Sequence, residues 1–514
     1  MKNLYPRLSR ISLKDWLEYH PYIGEVSSDQ FYISLCNDIQ NEMLLVDVDD
    51  HLVGADYKYL ACMLTCYFED MISQTGIWTS FTNEHYKLYG KYLPFYDMDE
   101  YDHEEINLAD IQFLIWHFCS NLSIQSHFID PYSIENTEIA LMVYAIMNEA
   151  VNHAPVNEDM KNALKLAPYS DIDQICEYLD FFFFGCYLNH YYMTSLMQEE
   201  ILKVRNRKGS QKDINNRRVH LLFNRVSPLL AQQSKEMLAN WIGESHPLYP
   251  SIMSISKLIE GFFLYIGATD THFQMKHIAS GILIDLIIPE CIFPLLAGET
   301  IVRMSIIEWD YEWYAIGPVF QMNELKNVKI AESEKFLFDQ TSSQLGIVKR
   351  LEECFLDYNN YSYILIIENK REAFILIDNI WDAYHLKYGM DNVDRRMFDI
   401  NNLTFHVDDD LENLVVFFNP HAGIEFYPNI AQCISIWDNI FYDVYADINI
   451  EDLFLDEHVS SDFISFIIKN KMIEIEPLTG ERGFHYVWDH CDFLLRYWKK
   501  ERYQSEPELY LNED

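Results

Sequence analysis

Positive charge is what this chain has least of. Its 514 residues carry 38 Lys and Arg against 80 Asp and Glu, a formal net charge of −42. Such a surface repels nucleic acid and anionic lipid. Duplex binding would need a local basic face strong enough to oppose that field, so no duplex partner is expected. Long apolar runs are also missing: none approaches about 18 residues without a charge or turn, and no membrane span is expected. The opening MKNLYPRLSRISLKDW has no continuous apolar segment, and no signal peptide is expected. The ten cysteines never fall into C-x-x-C, and most sit among apolar residues, as in CMLTC and FFFFGC. That pattern fits reduced, buried thiols in a cytoplasmic protein rather than a disulfide framework. G-x-x-x-x-G-K-[ST], G-x-S-x-G, H-E-x-x-H and G-x-G-x-x-G are all absent. The common phosphate-loop, nucleophile-elbow, zinc-protease and dinucleotide signatures therefore do not apply.

What the chain does have is core material. It is 49% hydrophobic and 15% aromatic, which separates it from acidic disordered polymers. Its length is too great for one core. The charge is uneven: residues 1–200 hold 32 acidic and 9 basic side chains, whereas 201–218 (ILKVRNRKGSQKDINNRR) hold seven basic and one acidic. The expected fold is α+β, in three parts. Residues 1–200 form a helical domain, and 201–218 a basic linker able to dock on the chain's own acidic surface. Residues 219–330 are helices leading into a small antiparallel β-sheet or open barrel. Residues 331–505 form a mixed α/β domain, and 506–514 an acidic tail.

Apolar residues recur at helical spacing over Tyr57–Ser73, Gly76–Leu88, Leu108–Asn121, Thr137–Asn152 and Asp171–Lys203. Within the last of these, CEYLDFFFFGCYLNHYY is apolar all round and predicts a central helix. Asn107 is a plausible N-cap with Asp110 three residues on. Four or five strands are predicted across 260–322, with EWDYEW as a hairpin turn. Period-two spacing also puts Trp309, Tyr311 and Trp313 on one strand face. Further on, 361–368 and 411–420 read as strands, and Lys335–Tyr358, Arg371–Lys387, Ile430–Phe441, Asp462–Lys469 and Tyr486–Arg502 as helices.

The runs DWLEYHPY, CYFEDMISQTGIWTSFTNEHYKLYGKYLPFY and INLADIQFLIWHFCSN resemble an uncharacterised family of Bacteroidetes proteins, a domain of unknown function. EWDYEWYAIGPVF, VVFFNPHAGIEFYP and WDHCDFLLRYWK extend the resemblance over most of the chain. It implies a bacterial, cytoplasmic protein. No activity and no site residue carry over.

Candidate chemistry is thin. Glu69, His85, Asp110, His117, Glu149 and His153 lie on four predicted helices, and carboxylate–histidine sets on four helices can hold paired metals. The Glu-x-x-His repeat of such bundles does not occur in these helices, and Asp110 is equally explained as a helix-start residue and His117 as a half-buried histidine beside Trp116. Glu368-Asn369-Lys370 at the end of a strand, with Asp357 eleven residues before Glu368, matches part of a metal-dependent nuclease core, but in a strongly acidic region. His272 and His277 fall on opposite strand faces. Cys62 and Cys66 lack a histidine pair for zinc. Asn419–Gly423 reads as a tight turn. The leading expectation is a non-enzymatic interaction protein for a basic partner, without a cofactor. The alternative is a metal-dependent enzyme using the N-terminal carboxylates and histidines.

Overall fold

A computed structural model describes residues 9–45, 54–96, 101–122, 129–288, 300–321, 347–389, 412–428, 430–436, 439–443, 450–456, 458–473 and 489–503, besides the single residues 98, 333 and 335. The fold is α+β, as expected. The chain divides into two compact units. One contains Met1–His277, Ile282–Glu324 and Arg482–Glu501; the other is built mainly from Leu325–Glu481. The N-terminal helices, the β-barrel and the last helix thus share one unit.

In the first unit the helices are α1 (Leu13–Leu17), α2 (Asp29–Leu45), α3 (Gly54–Ser73), α4 (Ile77–Tyr89), α5 (Leu108–Leu122), α6 (Ile134–Ala150), α7 (Glu158–Ala163), α8 (Ile172–Asp180), α9 (His190–Asn206), α10 (Gln211–Asn224), α11 (Ser234–Ile242) and α12 (Tyr249–Met253). Local chemistry sets several starts. Capping boxes at Ser12/Asp15, Asp171/Gln174 and Ser210/Asp213 satisfy the first amides of α1, α8 and α10. Helix α4 starts at Gly76, which has no side chain to cap it. The Asp70 carboxylate from α3 does so instead, accepting from Ile77 N and Trp78 N. The aromatic core around Trp78, Phe113 and Trp116 is closed by Phe493 and Tyr497 of the Cys491–Trp498 helix.

One expectation fails here. Residues 171–203 are not one helix. Helix α8 runs into a π-helical turn, Phe181–Gly185, the chain bends, and α9 starts at His190. A Cβ on Gly185 would stand 2.9 Å from Phe181 Cδ2, so this close turn needs glycine. Residues 201–218 are helical on both sides of a break at Arg207–Gly209 and pair with the chain's own acids. Lys203 meets Glu200 at 2.7 Å, Arg217 the same residue at 3.6 Å, and Arg218 meets Asp180 at 2.6 Å.

Five strands form a closed barrel in the order β1-β2-β3-β5-β4: β1 (Ile259–Ala268), β2 (His272–His277), β3 (Leu283–Ile287), β4 (Ile301–Trp309) and β5 (Glu312–Gln321). Every pairing is antiparallel except β3 with β5, which closes the barrel in parallel. This is the strand order of OB-type barrels. Alternation sends Phe263, Met275, Ile284, Leu286, Val302, Met304 and Ile306 inward. Gly317, at φ +76°, bends β5 beneath α10, where a Cβ would strike Val219 at 2.9 Å. Trp309, Tyr311 and Trp313 do not share a strand face. Asp310 and Tyr311 both take positive φ in a two-residue hairpin turn, and Tyr311 is 94% exposed at its tip.

In the second unit β6 (Ile364–Asn369), β7 (Glu412–Asn419) and β8 (Gly423–Tyr427) form an antiparallel sheet. The helical residues 347–358 and the Lys370–Tyr388 helix bury Leu351, Phe355, Leu376 and Ile380 in one cluster with Val416 and Phe418. Expected as a helix, 430–441 carries a 3-10 turn at Ala431–Cys433 and a bridge from Ile434 to Ile473. The acidic tail, 506–514, lies outside the described residues.

Candidate functional site

Of the six expected metal ligands, Glu69, His85, Asp110 and His117 are among the enclosed polar groups of the helical region. Glu69 accepts from His20 Nε2 at 2.7 Å and from Asn157 Nδ2 at 2.8 Å. His20 Nδ1 donates to Trp16 O at 2.9 Å, so both ring nitrogens face acceptors. Burial opposes the imidazolium, but the Glu69 charge and hydrogen bond outweigh it, and the His20 pKa is raised. The two side chains are buried together, and the raised pKa favours the charged imidazole. Asp110 takes Tyr67 OH at 2.7 Å, Tyr101 OH at 2.9 Å and Asn107 Nδ2 at 3.3 Å. Burial nevertheless pushes it up to about 6.

His85 Nδ1 donates to Lys91 O at 2.6 Å. His117 Nε2 donates to Leu188 O at 2.8 Å, and its Nδ1 faces Tyr497 OH at 3.0 Å. Burial pushes both histidines down to about 4. Glu149 and His153 are exposed, at the end of α6 and in the 3-10 turn after it. The six residues therefore occupy separate networks. Among the described residues no three His, Cys, Asp or Glu are placed to hold a metal ion.

The lesser candidates also find partners. Asp357 pairs with Lys387 at 3.1 Å, away from Glu368. His272 meets Glu312 at 3.1 Å. Cys62 faces Cys36 at 3.7 Å, and the described cysteines are free thiols. In the Asn419–Gly423 turn, Asn419 Oδ1 accepts from His421 N, and His421 meets Asp462 at 3.0 Å.

A concave feature of the first unit is a cleft of about 1060 Å³. Helix α8 explains one wall. Ile172, Ile175 and Leu179 are buried at i, i+3 and i+7. That spacing turns Asp173, Glu177 and Asp180, at i, i+4 and i+7, to the open side, where all three line the cleft. The π-helical turn continues the wall with Phe181, Phe184 and Gly185, while α9 and α10 supply His190 and Arg218. π-Helical turns recur at functional sites.

Arg218 shows what this wall can hold. Its Nε and Nη2 donate to Asp180 Oδ1 and Oδ2 at 2.7 and 2.6 Å. Its Cζ lies 3.9 Å from the Phe184 ring centroid. Asp173 and Glu177 have no basic partner among the described residues. His190 Nδ1 donates to Phe184 O at 2.9 Å, leaving Nε2 without a hydrogen-bond partner. Burial, aided by the Arg218 charge, pushes His190 down to about 4, so the ring is neutral. No sequence motif marks this wall. The acidic spacing on α8 is readable, but the bend that brings α9 and α10 against it is not.

No helix of the described residues is long and apolar enough to cross a membrane. Residues 10–245, which include the whole acidic wall, match the family described as "Protein of unknown function (DUF3843)". No curated protein and no solved structure matches the chain.

Proposed function

We propose that the protein is a non-enzymatic interaction protein, and that the α8 cleft receives cationic side chains of a basic partner. The observation that carries this reading is a pair of carboxylates, Asp173 and Glu177, without a basic partner among the described residues, in a concave wall that also carries Phe181 and Phe184. A carboxylate next to a ring face attracts a cation by charge and by the ring quadrupole. The net charge of −42 supports the same polarity by steering a basic partner inward. It also opposes duplex nucleic acid. The OB-type strand order does not alter this, because a fold alone assigns no ligand.

Titration of the full chain with octa-lysine and octa-arginine peptides at about 150 mM salt tests the reading, with octa-glutamate as control. A basic peptide is expected to bind with an affinity that falls as salt rises. Absence of binding by both basic peptides overturns the proposal.

A further inference from the structure

We propose that Asp180 and Phe184 form an arginine-recognition subsite of the cleft, and that Arg218 is its resident competitor. The inference rests on the reading above and narrows it from a cation to a guanidinium.

The seated group supplies the chemistry. Asp180 uses both oxygens on two different nitrogens of Arg218, at 2.7 and 2.6 Å, and the Phe184 ring lies 3.9 Å from Cζ. Fork and stack together require a planar group with fixed parallel donors. An ammonium is a point charge and meets only one of the two demands. The corner is therefore shaped for guanidinium rather than for any cation.

Arg218 is placed to leave. Its side chain is 40% exposed and that of Asp180 38%. Exchange of one guanidinium for another leaves neither Asp180 nor Phe184 uncovered, so the substitution is close to even. Asp173 and Glu177 lie on the same helix face, seven and three residues back. The three carboxylates span about 10 Å along α8, within reach of neighbouring arginines on one partner segment. One subsite filled from within beside two open carboxylates is the pattern expected of a site held partly closed until a multivalent partner arrives.

The test compares the full-length protein with Arg218→Gln and Asp180→Asn by titration with charge-matched octa-arginine and octa-lysine, each variant also being melted. Wild type is expected to favour octa-arginine. Arg218→Gln should tighten octa-arginine about tenfold, as removal of an internal competitor raises the competent fraction. Its effect on octa-lysine should stay within about twofold, which reports the lost charge alone. Asp180→Asn should abolish the preference for arginine.

Equal binding of both peptides by wild type, or an Arg218→Gln variant with unchanged octa-arginine affinity, overturns the subsite while leaving the basic-partner reading intact. Failure of every folded form to bind either peptide overturns the basic-partner reading itself. Should Arg218→Gln not fold, the wild-type preference and its loss in Asp180→Asn decide the matter.

Discussion

Two sets of carboxylates in the same compact unit stand in opposite conditions. Glu69, Asp70 and Asp110 are enclosed, and each meets donors supplied by the chain. Asp173 and Glu177 are exposed on α8 without a basic partner among the described residues. Asp180 stands between the two sets, half-exposed and paired with Arg218. The difference separates structure from availability. A buried charge persists only where the fold satisfies it. An acidic face kept unpaired on a concave wall has no such structural explanation.

The largest expected effect concerns the enclosed side. His85, His117 and His190 are held neutral with pKa values near 4. Each adds stability that is complete above the unfolded value of about 6.5 and is lost as pH falls towards 4, about 3 kcal/mol apiece. Asp110, raised to about 6, works in the opposite sense. Its protonated form is favoured by folding, so it gives back about 3 kcal/mol over the same descent. His20 and Asp70, also raised, oppose the loss too. Three histidines against Asp110 still leave several kcal/mol lost, a large share of an ordinary stability of about 5–15 kcal/mol. Urea unfolding at pH 7 and at pH 4.5 should show that fall, and a flat profile would break the comparison.

Next in size is Glu69→Ala, which strands the His20 charge and the Asn157 amide in the core. It should cost about 3–5 kcal/mol in denaturant unfolding. A loss below about 1 kcal/mol would mean that His20–Glu69 behaves as a surface pair. Arg218→Gln removes a half-exposed pair and should cost about 0–1 kcal/mol by the same measurement. A larger loss would move Asp180 into the enclosed set.

The sequence made the elements more legible than their meetings. Helical spacing located α3, α4, α5 and α6 to within a few residues, and alternation found the barrel strands. The bend after α8 was hidden because Phe181–Phe184 are apolar whether the backbone is α or π, and periodicity carries no sign of a widened turn. The aromatic face at 309–313 failed for a similar reason. Tyr311 obeys the two-residue alternation but sits in a turn at positive φ. Candidate metal ligands were chosen by spacing within single helices, yet their partners come from far along the chain. His20 meets Glu69 from 49 residues away, and His117 meets Tyr497 from 380. Asp110 followed an N-capping pattern in sequence, but its carboxylate turns inward to two tyrosines. Helix α8, by contrast, wrote both of its faces plainly, in Ile172/Ile175/Leu179 and Asp173/Glu177/Asp180.

The most direct test of the account is a paired measurement on Asp173→Asn/Glu177→Gln. Stability and octa-arginine affinity are read on the same protein. The account predicts unfolding free energy within about 0.5 kcal/mol of wild type and affinity at least about tenfold weaker, two charge contacts having been lost. A variant that loses several kcal/mol of stability, or one that binds the peptide as wild type does, would contradict it.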